Sequence, residues 1–299
     1  MHPLMRWQFC GGLEENDRKA MLFTNVVDSK GKKYDMPVLI GALAASPRIF
    51  EIGIGQPADK MIDAWARAMG NLIPPRIVES GPCQEIVIEG EALNEPGCAL
   101  DALPVPISTP GWDNAPYLST SGFITKDPES GIQNLGNYRA QIKAPLRLGM
   151  NTSVELKAGG YLHWEKYRAL GKPMPVAVVV GAPPAVAYAS VQKAPETLDE
   201  LSLAGGLVGS PINVVRARTV DLLVPAEAEI VIEGFVNTEY LEPEAPFGES
   251  HGHVNLQEYN AFVDVTCITR RRNAIFTSFV GQLAPSEATV MRKPGQEYV

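Results

Sequence analysis

The stretch Pro243-Glu244-Ala245-Pro246-Phe247-Gly248-Glu249-Ser250-His251-Gly252-His253 decides how this chain is read. Two prolines and two glycines set an irregular backbone, so the sequence predicts a shaped loop rather than a strand or helix interior. Two carboxylates five residues apart, Glu244 and Glu249, ride on it, followed by His251 and His253. Acid–base chemistry needs such a density of titratable groups on a fixed backbone. A solvated surface turn has the same composition, and the rest of the chain must decide between the two.

Bulk properties narrow the class. A length of 299 residues with 45% hydrophobic and 20% charged residues fits a globular protein of two domains, or one large one. A formal charge of −8 and a pI near 5.2 argue against a nucleic-acid partner. No apolar run approaches a membrane span, and Met1-His2-Pro3-Leu4 does not open a secretory signal. Cys10, Cys83, Cys98 and Cys267 lack CxxC spacing and read as reduced thiols of a cytoplasmic protein. The 25 prolines and 27 glycines demand many turns, which suits an α+β fold better than a helical bundle.

Apolar patterning then divides the chain. Short strands are predicted at Met21–Val27, Met36–Ala42, Ile49–Ile54 and Glu85–Glu91, and a helix after Pro57 with Met61, Ile62, Trp65 and Met69 at helical spacing. Asp101–Pro116 is proline-rich and reads as a boundary between an N-terminal mixed α/β domain, 1–105, and a β-rich, barrel-like domain, 106–299. Strands are expected in the second at Leu118–Thr125, Pro175–Gly181, Ile212–Val215, Glu229–Phe235, Phe262–Thr269 and Ala274–Val280. Helices are expected at Leu162–Leu170 and Thr197–Leu207, with a loop over Ala182–Val191 between them.

Three constellations could carry chemistry. Asn134 and Arg139 sit in or beside a strand, where an amide oxygen can ligate a hard cation and a guanidinium can fork a carboxylate or phosphate. An exposed Arg and a turn Asn would look the same. Thr197 with Glu200 matches a capping box; Glu200 could instead turn towards a cation. His251-x-His253 followed by Glu258 has the HxHxxxxE spacing of a cupin metal site, although Ala245 and Val265 stand where that motif has glycines and His253 is the last histidine. His163 reads as a helix-surface or half-buried residue. Neither a GxGxxG fingerprint, a P-loop nor a GxSxG elbow is present.

Taken together, Asn134–Arg139, the helix carrying Glu200 and Pro243–Gly252 occur in the order and spacing of UbiD-like decarboxylases, which this chain resembles from Leu22 to Thr289. Gly171–Gly181 and Val224–Gly234 are similar to the family as well. The resemblance implies a non-oxidative, reversible decarboxylase of an aromatic, heteroaromatic or α,β-unsaturated acid that uses prenylated FMN. It implies catalytic Arg139, Glu244 and Glu249: Glu249 as proton donor, Arg139 holding the substrate carboxylate and Glu244 bonded to Arg139. Flavin contacts are implied at Asn137, Tyr138, Arg139, Ala189, Ser190 and Val191. Asn134 and Glu200 are implied as ligands of Mn2+ or Mg2+ on the flavin phosphate, with K+ nearby. The chemistry agrees, since loss of CO2 from such acids leaves a carbanion that no side chain of these motifs can stabilise, so a cofactor is required.

Two departures accompany the likeness. Gly159 stands where many members have a histidine ligand, with His163 four residues on. Members also continue into a C-terminal domain that this chain lacks after Val299, which implies a homo-oligomer, a further chain or a fragment. Two other functions stay open: a cupin-like metal oxygenase on His251, His253 and Glu258, and a non-catalytic flavin-binding subunit.

Overall fold

The long valine and isoleucine runs build the centre of the molecule. In the computed structural model, which describes residues 1–291 except 153, 155, 156 and 282, they form a ten-stranded antiparallel sheet. Met174–Val180 pairs along its whole length with Ile230–Val236, which in turn lies on the 13-residue strand Glu258–Arg270. The order continues through Arg147–Met150, Ala140–Ala144 and Tyr117–Leu118 on one side, and through Ser121–Lys126 and Gln133–Asn137 on the other. Glu242–Glu244 and Ile86–Glu89 add to the two ends of Glu258–Arg270. The fold is mixed α/β.

These strands are apolar on both faces because both faces are covered. Val176, Val178 and Val180 enter one core; Ala177 and Val179, pointing the other way, enter a second. The second core is roofed by helices Pro47–Ile54, Met61–Gly70, Pro184–Ala189 and Glu200–Val208. The first takes Met5 and Phe9 from the N-terminal end and Trp164 from helix Gly159–Ala169. Among the described residues no helix is long and apolar enough to cross a membrane.

Several local expectations are corrected. Ile49–Ile54 is not a strand: Pro47 occupies the first turn of helix Pro47–Ile54, and Phe50 and Ile54, four apart, are its buried pair. Ala182–Val191 is not a plain loop; Pro184 starts helix Pro184–Ala189, where its missing N–H costs nothing. The cap of the next helix is Asp199 rather than Thr197, its carboxylate accepting the Leu201 N–H at 3.0 Å. Met21–Val27 and Leu118–Thr125 each break in two, and Ala274–Val280 keeps strand geometry only at Phe276–Thr277. His163 is fully buried, 2.9 Å from the Thr125 hydroxyl, and burial pushes it down to about 4.

Helix Glu287–Val290 is tied to the N-terminal part by one side chain. The buried Glu287 carboxylate accepts the N–H groups of Gly41 (2.7 Å), Leu43 (2.7 Å) and Ala44 (3.0 Å). Phe276–Thr277 meanwhile runs parallel to Val38–Ile40, so both connections join the same two regions. Glu287→Ala leaves three buried donors unpaired and is expected to lower unfolding stability by about 3 kcal/mol or more, measured by urea denaturation. A loss below about 0.5 kcal/mol would show that the contact is dispensable.

Candidate active site

The strand Gln133–Asn137 ends the sheet, and the chain turns through Tyr138 and Arg139 into Ala140–Ala144. This turn delivers the Arg139 side chain, 11% exposed, to the loop around Glu244. Arg139 Nε and Nη2 donate to the two oxygens of Glu244 at 3.0 and 2.8 Å, a parallel fork. Nη1 donates to Glu249, and Nη2 makes a second bond, to Glu258 at 2.8 Å. The Phe247 ring lies 4.9 Å from the guanidinium carbon, a cation–π contact.

The third carboxylate follows from strand register. Glu244 and Glu258 are direct cross-strand partners, where like charges repel. Two donors bridge them: Arg139 Nη2 reaches both, and Asn260 Nδ2 donates to Glu244 at 2.8 Å and to Glu258 at 3.1 Å. Asn151, at 2.6 Å, and Asn255 also donate to Glu258. Burial pushes the Glu258 carboxyl up, but the Asn260 amide, Arg139 and the other two amides outweigh it and hold the group below the usual carboxylate range.

The Pro243–His253 segment is less loop-like than expected, because Glu242–Glu244 and Phe247–Gly248 are short strands. Between them Ala245 holds φ at 91°, a conformation L residues rarely adopt. The proline-rich segment before residue 116 fixes it there. Asp113 accepts Gly248 N–H at 2.9 Å and Thr109 N–H at 2.7 Å. The Tyr117 hydroxyl accepts Ala245 N–H at 3.2 Å, while Asn114 donates to Ala245 O at 2.9 Å. A Cβ on Gly248 would lie 2.0 Å from Thr109 Oγ1, so only glycine fits.

Beside this cluster opens a cleft of about 930 Å3, lined by Asn134, Asn137, Tyr138, Arg139, Ser190, Val191, Glu200 and Glu249. The residues singled out in sequence are thus brought together, except that Glu244 and Ala189 are buried behind the wall. Asn137 N–H donates to Ser190 O at 2.8 Å, joining the strand to the end of helix Pro184–Ala189. At the far end, Glu200 is the first residue of its helix, where the dipole favours an anion, and its Oε2 accepts Leu135 N–H at 2.8 Å. Burial pushes its carboxyl up to about 8 despite that bond. The neighbouring Asn134 amide nitrogen is buried without a hydrogen bond. A Cβ on Gly159 would lie 2.0 Å from Asn134 Oδ1, so a side chain at this position would displace the Asn134 amide. Among the described residues no group of three or more His, Cys, Asp or Glu is placed to hold a metal.

His251 and His253 are exposed at the cleft with rings 5.3 Å apart, and Glu258, their expected co-ligand, is instead bonded to Arg139. Sequence reasoning missed Glu258 in this role, and missed Asp113, Asn151, Tyr117 and Asn260 altogether.

Comparison with known proteins gives a consistent result. Residues 76–283 match the UbiD family model, described as a 3-octaprenyl-4-hydroxybenzoate carboxy-lyase Rift-related domain. The UbiD-class enzyme HmfF from Pelotomaculum thermopropionicum, in complex with FMN, is 31% identical with a TM-score of 0.81, covering 89% of this chain and 57% of that one. An evolved dimeric form of HmfF with prFMN gives the same identity and score over 89% and 60%. The apo 3,4-dihydroxybenzoic acid decarboxylase of Klebsiella pneumoniae is 25% identical, TM-score 0.80, over 93% and 58%. This chain spans less than two thirds of the length of these relatives.

Removing the shared cation should expose the cost of grouping the acids. Arg139→Leu is expected to lose about 3 kcal/mol at pH 7. Without Arg139 the clustered negative charges repel one another unopposed, so the deficit is expected to shrink as acid removes charge towards pH 5. Urea unfolding at both pH values checks this; a deficit that stays constant would deny charge repulsion as its cause.

Proposed function

The chain belongs to the UbiD family of carboxy-lyases, and on that premise we propose that it is a prenylated-FMN-dependent, non-oxidative decarboxylase of an aromatic, heteroaromatic or α,β-unsaturated carboxylic acid. The observation that carries this reading is Arg139, forked by Glu244, met by Glu249 and lining a cleft of cofactor size. Bound prenylated FMN supplies the electron sink for the carbanion equivalent left as CO2 departs.

The chain's own residues do the rest. Arg139 holds the substrate carboxylate by charge-assisted hydrogen bonds, and Glu244 fixes the plane of its guanidinium. Glu249, on the rim of the cleft at 26% side-chain exposure, gives its proton to the carbon that loses CO2 and recovers one from solvent. Asn137, Tyr138, Arg139, Ser190 and Val191 line the flavin's path, with Ala189 packed behind them. Asn134 and Glu200 offer oxygen ligands to Mn2+ or Mg2+ on the flavin phosphate. A hard cation held there would take its other oxygens from water and the phosphate, and K+ would belong in the same region. The buried Glu200 carboxyl, pushed up to about 8, is the group at this end that a bound cation would hold ionised.

The barrel-like second domain is supported by connectivity. Tyr117–Leu118 and Ser121–Lys126 stand near opposite ends of the sheet order yet are separated by two residues, so the sheet must curl towards itself. We place the division from the N-terminal domain at 105/106, with Ile86–Glu89 crossing it to pair with Glu258–Arg270. We infer a homo-oligomer or a complex with a further chain, for which the evolved dimeric form of HmfF is a precedent. The cupin-like alternative is disfavoured because Glu258 is committed to Arg139.

Glu249→Gln is expected to lower CO2 release at least 100-fold, measured on the flavin-loaded protein, while the flavin absorbance of the purified protein is retained. An active variant would remove Glu249 as proton donor. Because Glu200 is pushed up to about 8, a cation must displace its proton below that pH. Mn2+ affinity should therefore fall about tenfold per pH unit below about 8, with proton release visible by calorimetry in buffers of different ionisation enthalpy. Affinity independent of pH would exclude Glu200 as a ligand.

A further inference from the structure

A guanidinium has five N–H donors. Glu244 takes the Nε–Nη2 edge of Arg139, and that carboxylate is buried, 1% exposed, away from the cleft. The edge left for a ligand is the one between Nη1 and Nη2. Its Nη1 side meets Glu249 and its Nη2 side meets Glu258. A carboxylate gripped by arginine in the usual way needs both N–H groups of one edge in parallel.

Glu258 is not a casual neighbour of that edge. Asn151, Asn255 and Asn260 all donate to it, and its position opposite Glu244 is set by strand register. Its side chain is nevertheless 35% exposed and lines the cleft, so its charge faces whatever binds there.

We infer that Glu258 is a specificity-determining residue: it holds the Nη2 side of the open edge of Arg139, so an incoming carboxylate that displaces Glu249 is met by one nitrogen, Nη1, against a standing negative charge. This deepens the proposed function and rests on its assignment of Arg139 to the substrate carboxylate. The consequence is a site that draws affinity from the substrate's ring and its stacking in the cleft rather than from its charge. It selects monocarboxylates and rejects a second carboxylate near the first, because each further anion meets Glu258 without gaining an N–H.

The test uses flavin-loaded protein titrated by calorimetry with benzoate and with benzamide, its neutral isostere. In Glu258→Gln, benzoate should bind about tenfold more tightly, the scale of one half-screened charge contact, and benzamide should be unchanged. Glu258→Ala guards against a glutamine carbonyl that stays on Nη2; it should show the same benzoate gain, with thermal unfolding verifying the fold. Benzoate affinity unchanged or weaker in both variants would overturn the inference and leave Glu258 a support for the strand pair. An equal gain for benzamide would also overturn it, as an effect of room rather than charge. Arg139→Lys separates the levels. If benzoate binding is insensitive to it, or absent from the wild type, the carboxylate role of Arg139 fails and the inference with it. If benzoate weakens in Arg139→Lys but gains nothing from the Glu258 variants, only the inference fails.

Discussion

One guanidinium holds three carboxylates, and the architecture of this chain depends on that grouping. Withdrawing so many charges from water is unfavourable unless each finds hydrogen bonds as well as an opposite charge. Here every acid has more than Arg139 or is exposed: Glu244 takes two N–H groups of the fork and the Asn260 amide, Glu258 takes three amides, and Glu249 faces solvent. The partners come from four separate parts of the chain, near residues 139, 151, 244–249 and 255–260. The cluster therefore exists only when the sheet has closed in the right register. A slip by one residue between Glu242–Glu244 and Glu258–Arg270 would turn Glu258 to the other face and leave Arg139 with two acids.

The supports around the cluster act on backbone rather than on side chains. Asp113, Asn114 and Tyr117 bond to the amide groups of Ala245 and Gly248, so the positive φ of Ala245 is maintained by neighbours that over-determine it. Burial pushes the Asp113 carboxyl up while the Gly248 and Thr109 N–H groups pull the other way. The same economy recurs at Glu287 and at Glu200, where a buried carboxylate caps N–H groups of a distant segment. The loop backbone is thus set by bonds other than those that hold the carboxylates to Arg139.

How much of this was legible in sequence follows the range of each interaction. Met174–Val180 and Ile230–Val236 were readable because apolar runs, broken in the second only at Glu233-Gly234, are a local signal. Pro47–Ile54 and Pro184–Ala189 were misread because short helices with proline at the start resemble strands or loops until their buried neighbours are known. The acids of Pro243–His253 announced themselves by density, and the likeness to a family ordered them. Glu258 could be found only as a histidine neighbour, since nothing within a few residues of it reveals that Glu244 lies opposite. Asp113 was hidden in a segment whose prolines read as a linker, although a turn there brings its carboxylate to the loop it holds.

The placement of Asn134 and Arg139 joins the two halves of the proposed chemistry. They lie five residues apart, so the backbone between them spans at most about 17 Å, and both side chains line one cleft. That separation suits a ligand with an anionic tail at Asn134 and Glu200 and a reactive ring near Arg139. The strand acts as a ruler, with Leu135 N–H pinned by Glu200 and Asn137 N–H by Ser190 O. Gly159 completes the anchoring end by leaving room: any side chain there would strike Asn134 Oδ1 and move the amide off the strand's line. A glycine at this position therefore leaves the Asn134 amide where it faces the cleft.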